Sequence, residues 1–117
     1  MVEDDTTLRD TLVEVLTDEG HEVRSAPNGA MALMQLNGWV ADLIVLDLMT
    51  PVMDAFEFRR RQLADGIAAE ARVLVLSAAR DVQRAADRIG ADAWLAKPFR
   101  LTEMIEAVER LVDDPAA

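Results

Sequence analysis

The sequence predicts an α/β domain in which helices cover both faces of a parallel sheet, and three observations carry that prediction. Two short runs, Leu43 to Leu46 and Val73 to Leu76, consist wholly of large apolar residues, the pattern of strands buried on both faces. Around them lie segments with apolar residues at helical spacing. Glycine, proline and asparagine mark most changes from one period to the other. Strand and helix so alternate five times, which implies right-handed crossovers between parallel strands.

Met1 and Val2 lead, as the end of a first strand, into the acidic trio Glu3, Asp4 and Asp5. From Thr7, the residues Leu8, Leu12, Val15 and Leu16 form one stripe of a helix that Asp5 or Thr6 can cap and Gly20 can end. His21 to Ser25 alternates about Val23 and reads as a short strand near an edge, with His21 at the surface. Pro27, Asn28 and Gly29 turn the chain into a short helix, Ala30 to Leu36, which closes at Asn37-Gly38. The central strand stops at Asp47, and Pro51 prevents it from continuing. A helix follows from about Asp54 to Ala64, with Phe56, Leu63 and the stem of Arg60 turned inward, and Gly66 ends it. Arg72 to Leu76 is a second buried strand and delivers Ser77 at its carboxyl end. Asp81 to Ile89 is a largely polar helix closed by Gly90; Trp94, Leu95 and Ala96 form a last strand that runs into Lys97-Pro98. Thr102 caps a final helix with the stripe Met104 or Ile105, Val108, Leu111 and Val112.

At 117 residues the chain is one domain, and 51% hydrophobic with 29% charged residues is the balance of a globular protein. No apolar run approaches a membrane span, and the start M-V-E-D-D lacks the basic and apolar regions of a signal peptide. A cytoplasmic location, with no membrane partner, is the expectation. The absence of cysteine and the single histidine exclude disulfides and the usual zinc sets. A metal here would be a hard cation held by oxygens. The net charge of -10 argues against direct nucleic-acid binding, which wants a cationic face.

In an open α/β sheet, ligands bind at the carboxyl ends of the strands. Alone, Asp47 reads as a turn or capping acid. Its companions at that edge are Glu3 and Asp4 after the first strand, Ser77 after the fourth and Lys97 after the fifth. Like charges about 4 Å apart repel by roughly 4 kcal/mol at an effective dielectric near 20. Three acids together therefore need a divalent cation, a proton or the lysine, and oxygen ligands with room for water suit Mg²⁺.

Five motifs, in order, carry a family resemblance: V-E-D at Val2 to Asp4, D-L-M-T-P-V-M-D at Asp47 to Asp54, L-S-A at Leu76 to Ala78, G-A-D-A-W at Gly90 to Trp94 and K-P-F at Lys97 to Phe99. The chain resembles the receiver domain of two-component response regulators, of the single-domain, chemotaxis-regulator kind, from Glu3 through the last helix. The resemblance implies a flavodoxin-like (βα)5 three-layer sandwich with strand order 2-1-3-4-5. It implies Asp47 as the phosphoacceptor, and Mg²⁺ held by Glu3, Asp4, Asp47 and the backbone carbonyl of Met49. Ser77 and Lys97 would bind the phosphoryl oxygens, the Lys97-Pro98 peptide would be cis, and Ser77 and Trp94 would form the switch. Trp94 reads equally as a partly buried core indole.

The implied donor is a histidine kinase or a histidine phosphotransfer protein. The implied output is a downstream protein bound on the helix Asp81 to Ile89, the strand at Trp94 and the helix from Thr102. A monomer or weak dimer is expected, and a self-phosphorylating switch rather than a turnover enzyme. An in-line transfer spreads negative charge over equatorial oxygens, which a cation and an ammonium stabilise.

Three departures from the family pattern have consequences. Ala55 stands where the family usually has glycine, which would strain a turn with positive φ. Met49 and Ala79, two residues beyond Asp47 and Ser77, are nonpolar and cannot orient a hydrolytic water, so autodephosphorylation should be slow. Two residues before Glu3 supply only about 7 Å of strand, so the first strand reads as truncated, the 1-117 receiver domain as trimmed upstream, and no output domain follows. Two rivals remain: a haloacid-dehalogenase-type phosphatase, which needs an acid at the place of Met49, and a receiver-shaped protein-binding module that is not phosphorylated. A flavin site would need a glycine- or hydroxyl-rich cradle after the first strand, where this chain has acids.

Overall fold

The computed structural model of the chain describes residues 1–3, 5–48, 53–78 and 82–113, the side chain of Asp113 excepted. The two apolar runs become β1 (Leu43–Asp47) and β2 (Arg72–Ser77), and β3 (Ala93–Ala96) completes a parallel sheet in the order β1-β2-β3. Among the described residues, five helices surround it: α1 (Thr6–Asp18), α2 (Gly29–Leu36), α3 (Ala55–Ala64), α4 (Val82–Ile89) and α5 (Leu101–Asp113).

Side chains leave a strand to alternate faces, so the unbroken apolar runs feed two cores. On one face Val45, Leu74 and Leu76 pack with Leu12 and Leu16 of α1 and Met104, Val108 and Leu111 of α5. On the other, Ile44, Leu46, Val73 and Val75 pack with Ala32 and Leu36 of α2, Phe58 of α3 and Val82, Ala86 and Ile89 of α4. The result is the three-layer sandwich predicted. Among the described residues, no helix is long and apolar enough to cross a membrane.

The first two strands depart from expectation. Each contracts to one residue: Val2 bridges in parallel to Leu46 on one side and to Ala26 on the other. The Val2 N–H donates to Val45 O at 2.8 Å and the Asp47 N–H to Val2 O at 3.0 Å, while the Ala26 N–H reaches Met1 O at 2.9 Å. This keeps the order 2-1-3-4-5 but not the lengths. His21 to Ser25 has a strand's alternation, yet among the described residues the bridge to the neighbouring backbone falls at Ala26, one residue beyond that stretch. His21 is also not a surface residue. It is half-buried, and its Nε2 is enclosed without a hydrogen-bond partner.

The helix ends follow local chemistry. Asp5 caps α1 by accepting the Leu8 N–H at 3.1 Å, and Gly20, at φ +97°, takes the left-handed turn that ends it. Asp54 caps α3 by accepting the Glu57 N–H at 2.9 Å. Ala55 opens α3 in helical conformation, so the strain expected of an alanine there does not arise. Thr102 is not a cap. The last helix starts one residue earlier, and Glu103 accepts the Arg100 N–H at 2.9 Å. Asp81, the expected start of the fourth helix, lies outside the described residues.

The inward face of α3 differs from the predicted one. Ala55, Phe58 and Gln62 are buried, whereas Phe56 and Leu63 are 37% and 51% exposed and Arg60 pairs outward with Glu57. A glutamine hid the stripe. Its amide nitrogen donates to Ala68 O at 3.0 Å and its oxygen accepts from Arg59 at 2.8 Å, so it is buried at little cost. Phe56 instead lies under the Arg88 guanidinium of α4, 4.8 Å from the ring centroid.

Candidate functional site

Parallel pairing sets the ends of the strands side by side. Asp47 stands opposite Leu76, and Ser77 opposite Ala96, which places Lys97 next to Ser77 at the same edge. The Lys97 N–H donates to Ser77 O at 2.8 Å, and the Lys97-Pro98 peptide is cis. Val2 holds its place against Leu46, so Glu3 emerges beside Asp47. Of the buried polar residues, Glu3, Asp47 and Ser77 all belong to this edge, at 0%, 4% and 0% exposure.

The two acids share the ammonium of Lys97, whose Nζ lies 2.8 Å from Glu3 Oε1 and 3.2 Å from Asp47 Oδ2. Both acids therefore sit within reach of one positive charge. Glu3 is fixed from other directions too: its Oε2 accepts the Asp5 N–H at 3.2 Å, and its carbonyl accepts from Arg9 at 2.8 Å. Arg9 is a residue the sequence did not reveal, because a guanidinium in the first turns of a helix carries no local mark of where it reaches. Burial would lower the Lys97 pKa, but its hydrogen bond to Glu3 and the charge of Asp47 outweigh that and raise it. The Glu3 carboxyl is pushed up to about 6, first by burial, then by Asp47; Lys97 and the Asp5 N–H pull the other way.

That shift makes a testable contribution to stability. A carboxyl that ionises near 4.5 when unfolded and near 6 when folded binds its proton more tightly in the native state. Its stabilising contribution is complete below pH 4.5 and is lost as pH rises through about 6, a change of about 2 kcal/mol. Denaturant titrations in chelator between pH 4.5 and 7 should show the wild type losing that amount relative to Glu3→Gln. Parallel curves for the two proteins would contradict it.

Of the residues the sequence assigned to the site, Glu3, Asp47, Ser77 and Lys97 come together. Asp4 and Met49 lie outside the described residues, as does Ala79. Trp94 is on β3, opposite Val75, and 41% exposed, which does not match a core indole. Among the described residues no three acids or histidines gather to hold a metal. The donors present are nevertheless of the right chemistry for a hard cation: two buried carboxylates near a single ammonium, with no sulfur or imidazole.

Comparison with known proteins agrees with this fold. Residues 1–109 match the family of the response regulator receiver domain. A 14.6 kDa protein encoded beside sodA1 in Leptolyngbya boryana, described as uncharacterized, is 38% identical, the match covering 94% of this chain and 86% of that protein. The transcriptional regulatory protein TcrA of Mycobacterium tuberculosis is 35% identical over 95% of this chain, which spans only 44% of its length. Among solved structures, the chemotaxis protein CheY4 of Vibrio cholerae superposes with a TM-score of 0.84 at 28% identity, covering 94% of this chain and 93% of that one. The receiver domain of the Francisella response regulator 1452 gives 0.84 at 26% identity, with 95% and 92% covered.

Proposed function

The chain belongs to the response regulator receiver family, and from that premise we propose that Asp47 accepts a phosphoryl group from a histidine of a partner kinase or phosphotransfer protein. The observation that carries this reading is the Lys97 ammonium set between Glu3 and Asp47 at the carboxyl edge of the sheet. The Asp47 carboxylate attacks the phosphorus in line; its bond to histidine nitrogen breaks as the new P–O bond forms, and the freed imidazole leaves with the donor. Lys97 would turn its ammonium from a carboxylate to a phosphoryl oxygen, and the Ser77 hydroxyl would donate to another. Glu3 and Asp47, with Asp4 and the Met49 carbonyl, would hold Mg²⁺, which when bound supplies positive charge to the phosphoryl oxygens.

As a member of this family the protein signals through its phosphoacceptor state rather than by sustained turnover. The surface proposed to carry the signal is α4, β3 and α5. There, movement of Ser77 toward the phosphoryl group would let the exposed Trp94 turn inward and change what a partner protein meets. Loss of the phosphoryl group should be slow, because Met49 and Ala79 offer no polar atom to orient water. Once phosphorylated with a small-molecule donor and freed of it, the protein should keep its modification for minutes or longer by intact mass. Decay within seconds would show that another group positions the water.

A further inference from the structure

Arginine is spread unevenly over the folded chain. α3 and α4 carry five, Arg59, Arg60, Arg61, Arg84 and Arg88, against the acids Glu57 and Asp87, whereas α1 and α5 carry Arg9 and Arg110 against seven acids. The two cores place these pairs of helices on opposite sides of the sheet. A chain with a net charge of -10 therefore has a cationic side. The acidic side is separated from it by much of a molecule 30 Å across its shortest axis, well beyond the Debye length of about 8 Å at physiological salt. A partner meeting α3 and α4 senses the local arginines.

On that side, the seam between α3 and α4 combines exposed apolar surface with unpaired charge. Successive helix residues turn by about 100°, so Phe56, Arg60 and Leu63 share one flank of α3, and Arg84 and Arg88 one flank of α4. The two flanks face each other, because the Arg88 guanidinium lies over the Phe56 ring at 4.8 Å and Arg59 of α3 donates to Ile89 O of α4 at 3.0 Å. Phe56 and Leu63 remain exposed along it. The acids of both helices are engaged or turned away. Glu57 is already shared by Arg60 and Arg61, at 2.6 and 2.8 Å, and Asp87 lies about 100° around α4 from Arg88. Among the described residues, neither Arg84 nor Arg88 makes an ion pair. A guanidinium held over a ring is oriented, yet it keeps its N–H donors for an oxygen.

We propose that this seam binds an acidic amphipathic helix of a partner protein. Phe56 and Leu63 are seven residues apart, about 10.5 Å along α3, and Arg84 and Arg88 four apart, about 6 Å along α4. A helix laid in the seam matches both spacings when it carries apolar residues seven apart and acids four apart on the flank nearer α4. Its apolar pair meets Phe56 and Leu63, and its carboxylates take charge-assisted hydrogen bonds from Arg84 and Arg88. The seat uses the flank of α4 turned to α3, so it is separate from the surface at β3 and α5 proposed to carry the signal.

The probe is a peptide of about 15 residues held helical by a side-chain staple, with leucines seven apart and glutamates four apart beside them. No phosphoryl donor is added, so the result is independent of the acceptor proposed at Asp47. Fluorescence anisotropy with the full chain should give a submillimolar Kd. Arg84→Glu combined with Arg88→Glu should weaken it by about tenfold or more, and Leu63→Ala by about threefold. Glu14→Lys on α1 should leave it unchanged, with circular dichroism showing each variant folded. Replacing the peptide's glutamates by lysine, or scrambling its order at fixed composition, should abolish binding. A Kd above about 1 mM, equal binding of the scrambled peptide, or indifference to the substitutions in the seam would overturn the proposal.

Discussion

Asp47→Asn is expected to abolish phosphorylation. Treated with phosphoramidate and Mg²⁺, the wild-type chain should gain the mass of one phosphoryl group, and the variant none. A carboxylate oxygen can attack phosphorus and hold it as an acyl phosphate; a carboxamide of the same shape has no charged oxygen to do so. The fold should survive the change. Asp47 is 4% exposed beside a second acid that is fully buried, so removing one negative charge relieves repulsion, while Lys97 keeps Glu3 at 2.8 Å. Circular dichroism and thermal melts of the variant should therefore match or exceed the wild type. Full modification of the variant would move the phosphoacceptor elsewhere. Failure of the wild type to take phosphate would favour a receiver-shaped binding module.

Phe58→Ala should have the largest effect on stability. Phe58 is fully buried, packed with residues of the sheet and of α2 and α4 on one face of the molecule. A Cβ added to Gly29 would come within 3.2 Å of its Cβ and 3.3 Å of Met53 Cγ, so α2 has approached as closely as its glycine permits. A helix packed that tightly cannot collapse into the space the ring leaves. Deleting a buried phenylalanine side chain with incomplete relaxation costs about 3 to 5 kcal/mol. For a domain of this size that lowers the Tm by roughly 10 to 20 °C. Leu63→Ala in the same helix, at a position 51% exposed, should change it little. A small loss at Phe58 would mean that the helix repacks.

The contrast between Phe58 and Leu63 also shows what could be read beforehand. The buried strands β1 and β2 and the edge they end on were legible, because unbroken apolar runs ending in Asp47 and Ser77 admit few alternatives, and the parallel arrangement then dictates which ends meet. The face of α3 was not. Phe56 and Leu63 are apolar by composition, but the stripe that wins is Ala55, Phe58 and Gln62, and nothing within the helix announces that Ala68 will satisfy a glutamine. The environment of His21 was hidden for a similar reason: its burial depends on α1 and α5 closing over one end of the sheet. The reach of Arg9 and the capping role of Glu103 are likewise decided by partners that become neighbours only in the folded molecule.

The bond from Lys97 to Glu3 spans 94 positions of the chain, and that from Lys97 to Asp47 spans 50. Contacts so remote in sequence require nearly the whole chain to be ordered first. A nascent or partly unfolded molecule therefore has no assembled acceptor to offer a kinase. On the function proposed above, the acceptor exists only in a molecule whose segments at Glu3, Asp47 and Lys97 have already come together.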